Sequence, residues 1–161
     1  MGTYDTAKIC IDGHLITSSM ESSRNTDNNC TLCGAAVITK CSKCNAPIHG
    51  YYNVPGVLTF HDEPIPAFCH NCGSPYPWTE SRLDTAEKII DMLDELTVEQ
   101  KKQLKDSLPD IIVETPRSQY AALVAGKFMA LTNGLACESL KFWLTKYALP
   151  KIITLLNLNN L

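Results

Sequence analysis

No stretch of the sequence reaches the roughly 20 uninterrupted apolar residues that a membrane-spanning helix requires. Residues 1 to 20 also lack a continuous apolar core, because Asp5, Lys8, Asp12 and His14 interrupt every candidate, so no secretion signal is expected and the expected compartment is the reducing cytoplasm. Basic charge is scarce: 14 Lys plus Arg stand against 17 Asp plus Glu, a net −3, which argues against a dedicated duplex-DNA binder with its clustered basic face. With 8 Gly and 9 Pro in 161 residues, neither collagen nor bulk disorder fits. The length leaves room for about one domain and at most a small second module, which excludes a large multidomain enzyme.

What is present is unevenly spread. Six of eight Gly, six of nine Pro, all four His and seven of eight Cys precede Trp78. Residues 1–78 carry short β-type runs (Ala7 to Ile11, Leu15 to Thr17, Ala35 to Thr39, Val57 to Phe60) between Gly, Pro and Asn punctuation, the pattern of small hairpins. Their apolar content is too low to predict a core, and the polar run Ser18 to Asn29 reads as a mobile loop.

Residues 79–161 turn to a helical period, giving an α+β chain: a small β-hairpin module followed by four to five helices. Leu83, Ala86, Ile90 and Leu93, joined by Ile89 and Leu96, form the first apolar stripe. Thr97-x-x-Gln100 reads as a capping box opening a second helix that Pro109 ends, and Thr115-Pro116 as N-cap and first-turn proline of a third, running to about Leu131 before Asn133-Gly134. A fourth presents Leu140, Trp143, Leu144, Tyr147 and Ala148, and Pro150 opens a last short one through Leu158. Residues 81–116 hold five bases and nine acids, whereas residues 117–161 hold five bases and one acid.

Cys30-x-x-Cys33-Gly34, Cys41-x-x-Cys44 and Cys69-x-x-Cys72-Gly73 form three CxxC pairs. Such a turn directs two thiolates at one ion while its amides hydrogen-bond the sulfurs, and the glycine permits the backbone conformation that follows. Six ligands do not fill closed four-coordinate sites, and Cys10-Ile-Asp-Gly-His14 supplies the missing pair, so eight ligands predict two Zn²⁺ per chain. Among the pairings, nesting is preferred (30/33 with 41/44, and 10/14 with 69/72), because the Ala35 to Thr39 run looks just long enough to return one knuckle onto the next; consecutive and crossed pairings are the alternatives. Disulfides, thioredoxin-like chemistry and an iron–sulfur cluster are weaker readings, the first for want of a secretion signal and the second because the pairs sit in Gly/Pro-rich loops. His49 is the rival to His14 as eighth ligand, and His49 and His70 are expected to hydrogen-bond thiolates. His61-Asp62-Glu63 reads as a solvated loop rather than a general base, and Cys137 as a buried small hydrophobe.

Several of these segments carry a resemblance. Tyr4-Asp5-Thr6-Ala7, Cys10-x-x-Gly13-His14, Cys30 to Cys44 with Pro47-Ile48-His49-Gly50, Cys69 to Gly73 with Pro75-Tyr76-Pro77-Trp78-Thr79, and Lys101 to Gln119 with Leu108-Pro109-Asp110 and Thr115-Pro116-Arg117 resemble a bacterial zinc-ribbon-containing family of unknown function. The resemblance covers about two thirds of the chain, fades from about Tyr120, and implies Cys10 and His14 as ligands without implying an activity.

The functional expectation is a non-enzymatic zinc-ribbon adaptor that recognises a protein partner. Closed zinc sites contribute on the order of 10 kcal/mol each to the folding of a segment with little core. The acidic zinc half, with four bases and seven acids in residues 1–80, repels phosphate. The alternatives are a peripheral membrane or effector role through residues 117–161, a nucleic-acid-associated regulator, and homo-oligomerisation through those same residues; membrane contact is not favoured, since the Trp143 stripe serves equally as core.

Overall fold

The computed structural model describes residues 2–56 and 64–158; the run Val57 to Phe60 and the triplet His61-Asp62-Glu63 lie outside the described residues. Among the described residues five strands and five helices follow in order, α+β as read: β1 (Thr3–Thr6), β2 (Lys8–Cys10), β3 (Leu15–Thr17), β4 (Val37–Ile38), β5 (His49–Asn53), α1 (Pro77–Asp91), α2 (Val98–Ile112), α3 (Ser118–Met129), α4 (Gly134–Tyr147) and α5 (Pro150–Leu155). The chain divides into two compact units, residues 1–81 and 82–161, the boundary falling inside α1.

In the first unit, β3-β2-β4 form one antiparallel sheet and β1-β5 a second. Two of these strands, β1 and β5, carry no clean alternation in sequence and escape the period-2 reading. The polar 18–29 segment forms neither helix nor strand, yet it is tied down along its length: Glu21 accepts from the Thr6 N–H at 2.9 Å, Met20 N–H donates to the Thr6 carbonyl at 2.9 Å, Lys8 Nζ reaches the Asn25 carbonyl at 3.3 Å, Ser18 O accepts from Tyr51 N–H at 2.7 Å, and Asn28 O accepts from Val37 N–H at 3.0 Å. A small core does exist, against expectation. Ala7, Ile9, Ile48, Tyr76 and Trp78 are buried together with Cys41 and Cys69, and Trp78 Nε1 donates to the Pro66 carbonyl at 2.9 Å. Cysteine sulfurs supply apolar surface that a count of aliphatic residues overlooks.

The second unit buries one stripe from each helix: Ala86 and Ile90 of α1, Leu104, Leu108 and Ile111 of α2, Ala121, Ala125 and Phe128 of α3, Leu140, Trp143 and Leu144 of α4, and Ile152 of α5. Thr97 caps α2 reciprocally with Gln100, as the capping box requires. Four boundaries differ from the sequence reading. Leu93 and Leu96 are buried, but in the turn after α1 rather than on it. Proline 109 does not end α2, which continues to Ile112: only one ladder bond is lost, and burial of Leu108 and Ile111 offsets the proline penalty of about 3 kcal/mol. Thr115 does accept from the Arg117 N–H at 3.1 Å, but the turn at 116–117 delays α3 to Ser118. Helix α5 stops at Leu155; Asn157 adopts φ 55° and Leu158 N–H reaches back to the Ile153 carbonyl, a Schellman stop. Cys137 is buried in this core as read, receiving the Thr132 hydroxyl at 3.2 Å. No helix among the described residues is long and apolar enough to cross a membrane.

Candidate metal centres

The three CxxC segments build one local structure three times. In each, the N–H of the residue after the second cysteine returns to the carbonyl of the first (Gly34 to Cys30, 2.8 Å; Asn45 to Cys41, 2.9 Å; Gly73 to Cys69, 2.9 Å). The first cysteine's own N–H closes the loop on residue 35, 46 or 74, each at 2.8 Å, and an antiparallel bridge pins the base of each knuckle (Asn29 with Ala36, Lys40 with Pro47, Phe68 with Pro75). Gly34 and Gly73 take φ 76° and 69°, which only glycine adopts freely; Asn45 takes the same place with φ 60°, asparagine being the next most tolerant residue there. The Cys10 to His14 turn is a fourth variant, with Gly13 N–H returning to the Cys10 carbonyl and His14 N–H pointing at Cys10 Sγ.

These turns assemble into two four-membered clusters, Cys10/His14/Cys30/Cys33 and Cys41/Cys44/Cys69/Cys72, with the ligand atoms of each within 4.8 Å of one another. The preferred nested pairing is corrected: the clusters join consecutive pairs. The physical reason lies in the Ala35 to Thr39 run. Rather than turning back, it extends, Val37 and Ile38 forming β4 beside Ile9 and Cys10 of β2, and five extended residues separate their ends by about 16 Å. Knuckle 30/33 is thereby held against Cys10, while knuckle 41/44 is carried away to meet 69/72.

The separations match a tetrahedral ion. Arms of about 2.3 Å to sulfur and about 2.0 Å to nitrogen place two thiolates about 3.8 Å apart and a thiolate and imidazole about 3.5 Å apart. Observed values are 3.8 Å for Cys10 Sγ to Cys33 Sγ, 3.5 Å for Cys10 Sγ to His14 Nδ1, 3.7 Å for Cys30 Sγ to His14 Nδ1, 3.8 Å for Cys41 Sγ to Cys72 Sγ and 3.6 Å for Cys44 Sγ to Cys69 Sγ. All eight cysteines are free thiols.

The turns also prepare the ligands. Backbone donation from Cys72 N–H leads, against desolvation and with help from Asn71 N–H, in bringing the Cys69 thiol down to about 6. For Cys30, desolvation pushes up but the N–H groups of Leu32 and Cys33, with the Cys33 and Cys10 thiols, outweigh it and bring the group down to about 7. Both are first cysteines of a knuckle, where the turn amides converge, and a thiolate is the form that binds metal. The surroundings differ between the clusters. Asp12 beside Cys33 opposes its ionisation, whereas Asn71 beside Cys44 and Ser74 beside Cys72 favour theirs.

It is His14, not His49, that lies with three cysteines. His49 instead stacks between Tyr4, at 4.1 Å between ring centroids, and His70, at 3.6 Å, while Tyr4 also meets Tyr52 at 4.7 Å. Burial first, and the neighbouring His70 second, hold the His49 imidazole below its ordinary value. This four-ring ladder went unread in the sequence, since its members come from three separate segments and no local period joins them.

Small antiparallel sheets bearing two such clusters, followed by helices, define an α+β protein with zinc-ribbon-like knuckles. Residues 3–142 match the family described as an uncharacterized protein conserved in bacteria, DUF2321, and the chain belongs to it. No curated protein and no solved structure matches this chain.

Proposed function

We propose that this protein is a non-enzymatic zinc-binding adaptor of the bacterial cytoplasm: two zinc ions, held by Cys10/His14/Cys30/Cys33 and Cys41/Cys44/Cys69/Cys72, organise the first unit, whose surface recognises a protein partner. The observation that carries the reading is the completeness of each cluster. Four soft ligands at tetrahedral separations fill the coordination of zinc, whereas catalytic sites keep one position for water or substrate. Free thiols throughout accord with a reducing compartment. The acidic balance of the first unit, four bases to seven acids, favours a protein over a polyphosphate partner.

The test is metal content by mass spectrometry on anaerobically purified protein, paired with thiol titration and with affinity capture by metal-loaded and metal-stripped chain. Two zincs, slow modification of every thiol of the two clusters and a partner retained only by the loaded chain are expected. One ion, iron in place of zinc, or several fast-reacting cluster thiols would instead indicate an open or redox-active site and sink the adaptor reading.

A further inference from the structure

Within the adaptor reading, on which this inference rests, we propose that the ring ladder Tyr52, Tyr4, His49 and His70, together with the Glu21 carboxylate, is the docking surface, and that its ligand is an arginine-bearing cationic peptide. The ladder is built by an irregular strand pair. Tyr4 opposes Tyr52 and Thr6 opposes His49, so two steps along β1 match three along β5; this bulge brings Tyr52 and His49, three positions apart, to the same ring stack. Gly50 makes the bulge fit, buried where a side chain would strike the Ser18 carbonyl.

The rings remain substantially open: Tyr4 is 50% and Tyr52 39% exposed, and His70 is also exposed. Contiguous exposed aromatics are the informative exception on a protein surface. A carboxylate accompanies them. Glu21 accepts from Thr6 N–H on β1 through both carboxylate oxygens, at 3.1 and 2.9 Å, and the Thr6 side chain first, with that N–H second, holds it below the usual carboxylate range, so it is anionic at neutral pH. The far end of the ladder, His70, sits between Cys69 and Cys72. With a divalent ion in each cluster, the seven thiolates add three uncompensated negative charges to a unit already carrying more acids than bases.

The outward faces at the two ends of the ladder, Tyr52 and His70, with a carboxylate held on the same β1 strand at Thr6 and a negative field around them, suit a cation, and guanidinium fits best: it is planar, stacks on aromatic rings and donates bidentately to a carboxylate, which an ammonium does not. Rings alone would also suit unstacked bases, but the same field opposes their phosphates.

The experiment uses the full metal-loaded chain and fluorescence anisotropy with labelled repeat peptides of Gly-Arg-Pro, Gly-Lys-Pro and Gly-Glu-Pro, each about 12 residues, and an oligouridine of about 12 nucleotides, at about 50 and 300 mM salt. The arginine peptide is expected to bind most tightly, the lysine peptide at least about 3-fold more weakly, and the acidic peptide and RNA not at all. Tyr4→Leu and Tyr52→Leu should each weaken the arginine peptide by about 10-fold, Tyr4→Phe should restore it, and Glu21→Gln should weaken it and flatten its salt dependence. Metal content and circular dichroism establish that each variant is folded; Glu21→Gln, in the loop, carries the test if a tyrosine variant is not. No arginine-peptide binding, binding indifferent to Tyr4→Leu or to Glu21→Gln in the folded protein, or preference for oligouridine overturns the assignment. The two readings fail separately: a partner captured only by loaded chain, and equally by Glu21→Gln, removes this surface and leaves the adaptor standing, whereas no metal-dependent partner at all removes both.

Discussion

Single side chains carry unequal weight in this fold, and two of them show why. Gly50 lies where β5 passes close against the 18–29 segment: a Cβ there would lie 2.0 Å from the Ser18 carbonyl oxygen and 2.9 Å from the Ala7 nitrogen, both backbone atoms with little room to move. Gly50→Ala should therefore destabilise the first unit by about 1–3 kcal/mol, read as a lower thermal midpoint of the loaded protein with the helical unit unaffected. Asp110 is the second. It accepts from Arg117 Nε at 2.8 Å, Arg117 Nη2 at 3.1 Å and the Thr115 hydroxyl at 2.8 Å while its own side chain is only 10% exposed. The Arg117 hydrogen bond chiefly, then Thr115, depress its titration despite desolvation. A depressed carboxylate binds fewer protons folded than unfolded, so its contribution is complete above the ordinary carboxylate range and is lost as pH falls through the native value. Asp110→Asn should cost about 1–3 kcal/mol at neutral pH and shrink the difference from the parent in acid; a gap independent of pH in denaturant titrations would contradict the ion-pair account.

Among the elements, the two clusters share a turn but not a setting. Cys41, Cys44 and Cys69 pack in the small core with Tyr76 and Trp78, while no ligand of the Cys10 cluster belongs to it. Asp12 also places a carboxylate beside Cys33, a neighbour that opposes thiolate formation. Removal of an ion held by the Cys10 cluster would therefore expose less apolar surface than removal of one held by the other. Stepwise chelation followed by native mass spectrometry should show one ion leaving first with Trp78 emission almost unchanged, and the second leaving with a red shift. Cys33→Ser should reproduce the first step and Cys72→Ser the second, and a red shift accompanying the first ion would reverse the order.

At the scale of the molecule, the two units draw on different sources of stability. The helical unit buries an apolar stripe from all five helices with no cluster ligand among them, whereas the first unit closes its strands around sulfur. Full chelation should abolish the near-ultraviolet signal of Tyr76 and Trp78 yet leave most of the helical far-ultraviolet signal in place, because metal binding free energy is folding free energy only where the ligands are. Loss of both signals together on chelation would mean that the helices depend on the metal as well.

Local chemistry was legible in the residues themselves. The CxxC spacing with glycine after it, the Thr97 to Gln100 box and the Leu140/Trp143/Leu144 stripe all express interactions between residues a few positions apart, which depend on little but the chain nearby. Relations between distant segments were not legible. Whether Ala35 to Thr39 turns back or extends is decided by whether β2 is there to pair with it, and that choice sets which cysteines meet. Helix α2 runs through Pro109 because its neighbours on that turn are buried, a gain that no local propensity contains. The ring ladder depends on a bulge between β1 and β5 that neither strand announces. Sequence alone thus determined the candidate ligand residues and the two structural classes, since these follow from residue type and short spacing; tertiary structure decided which of those residues meet and how the rings stack, since both follow from strands that meet only once the chain has folded.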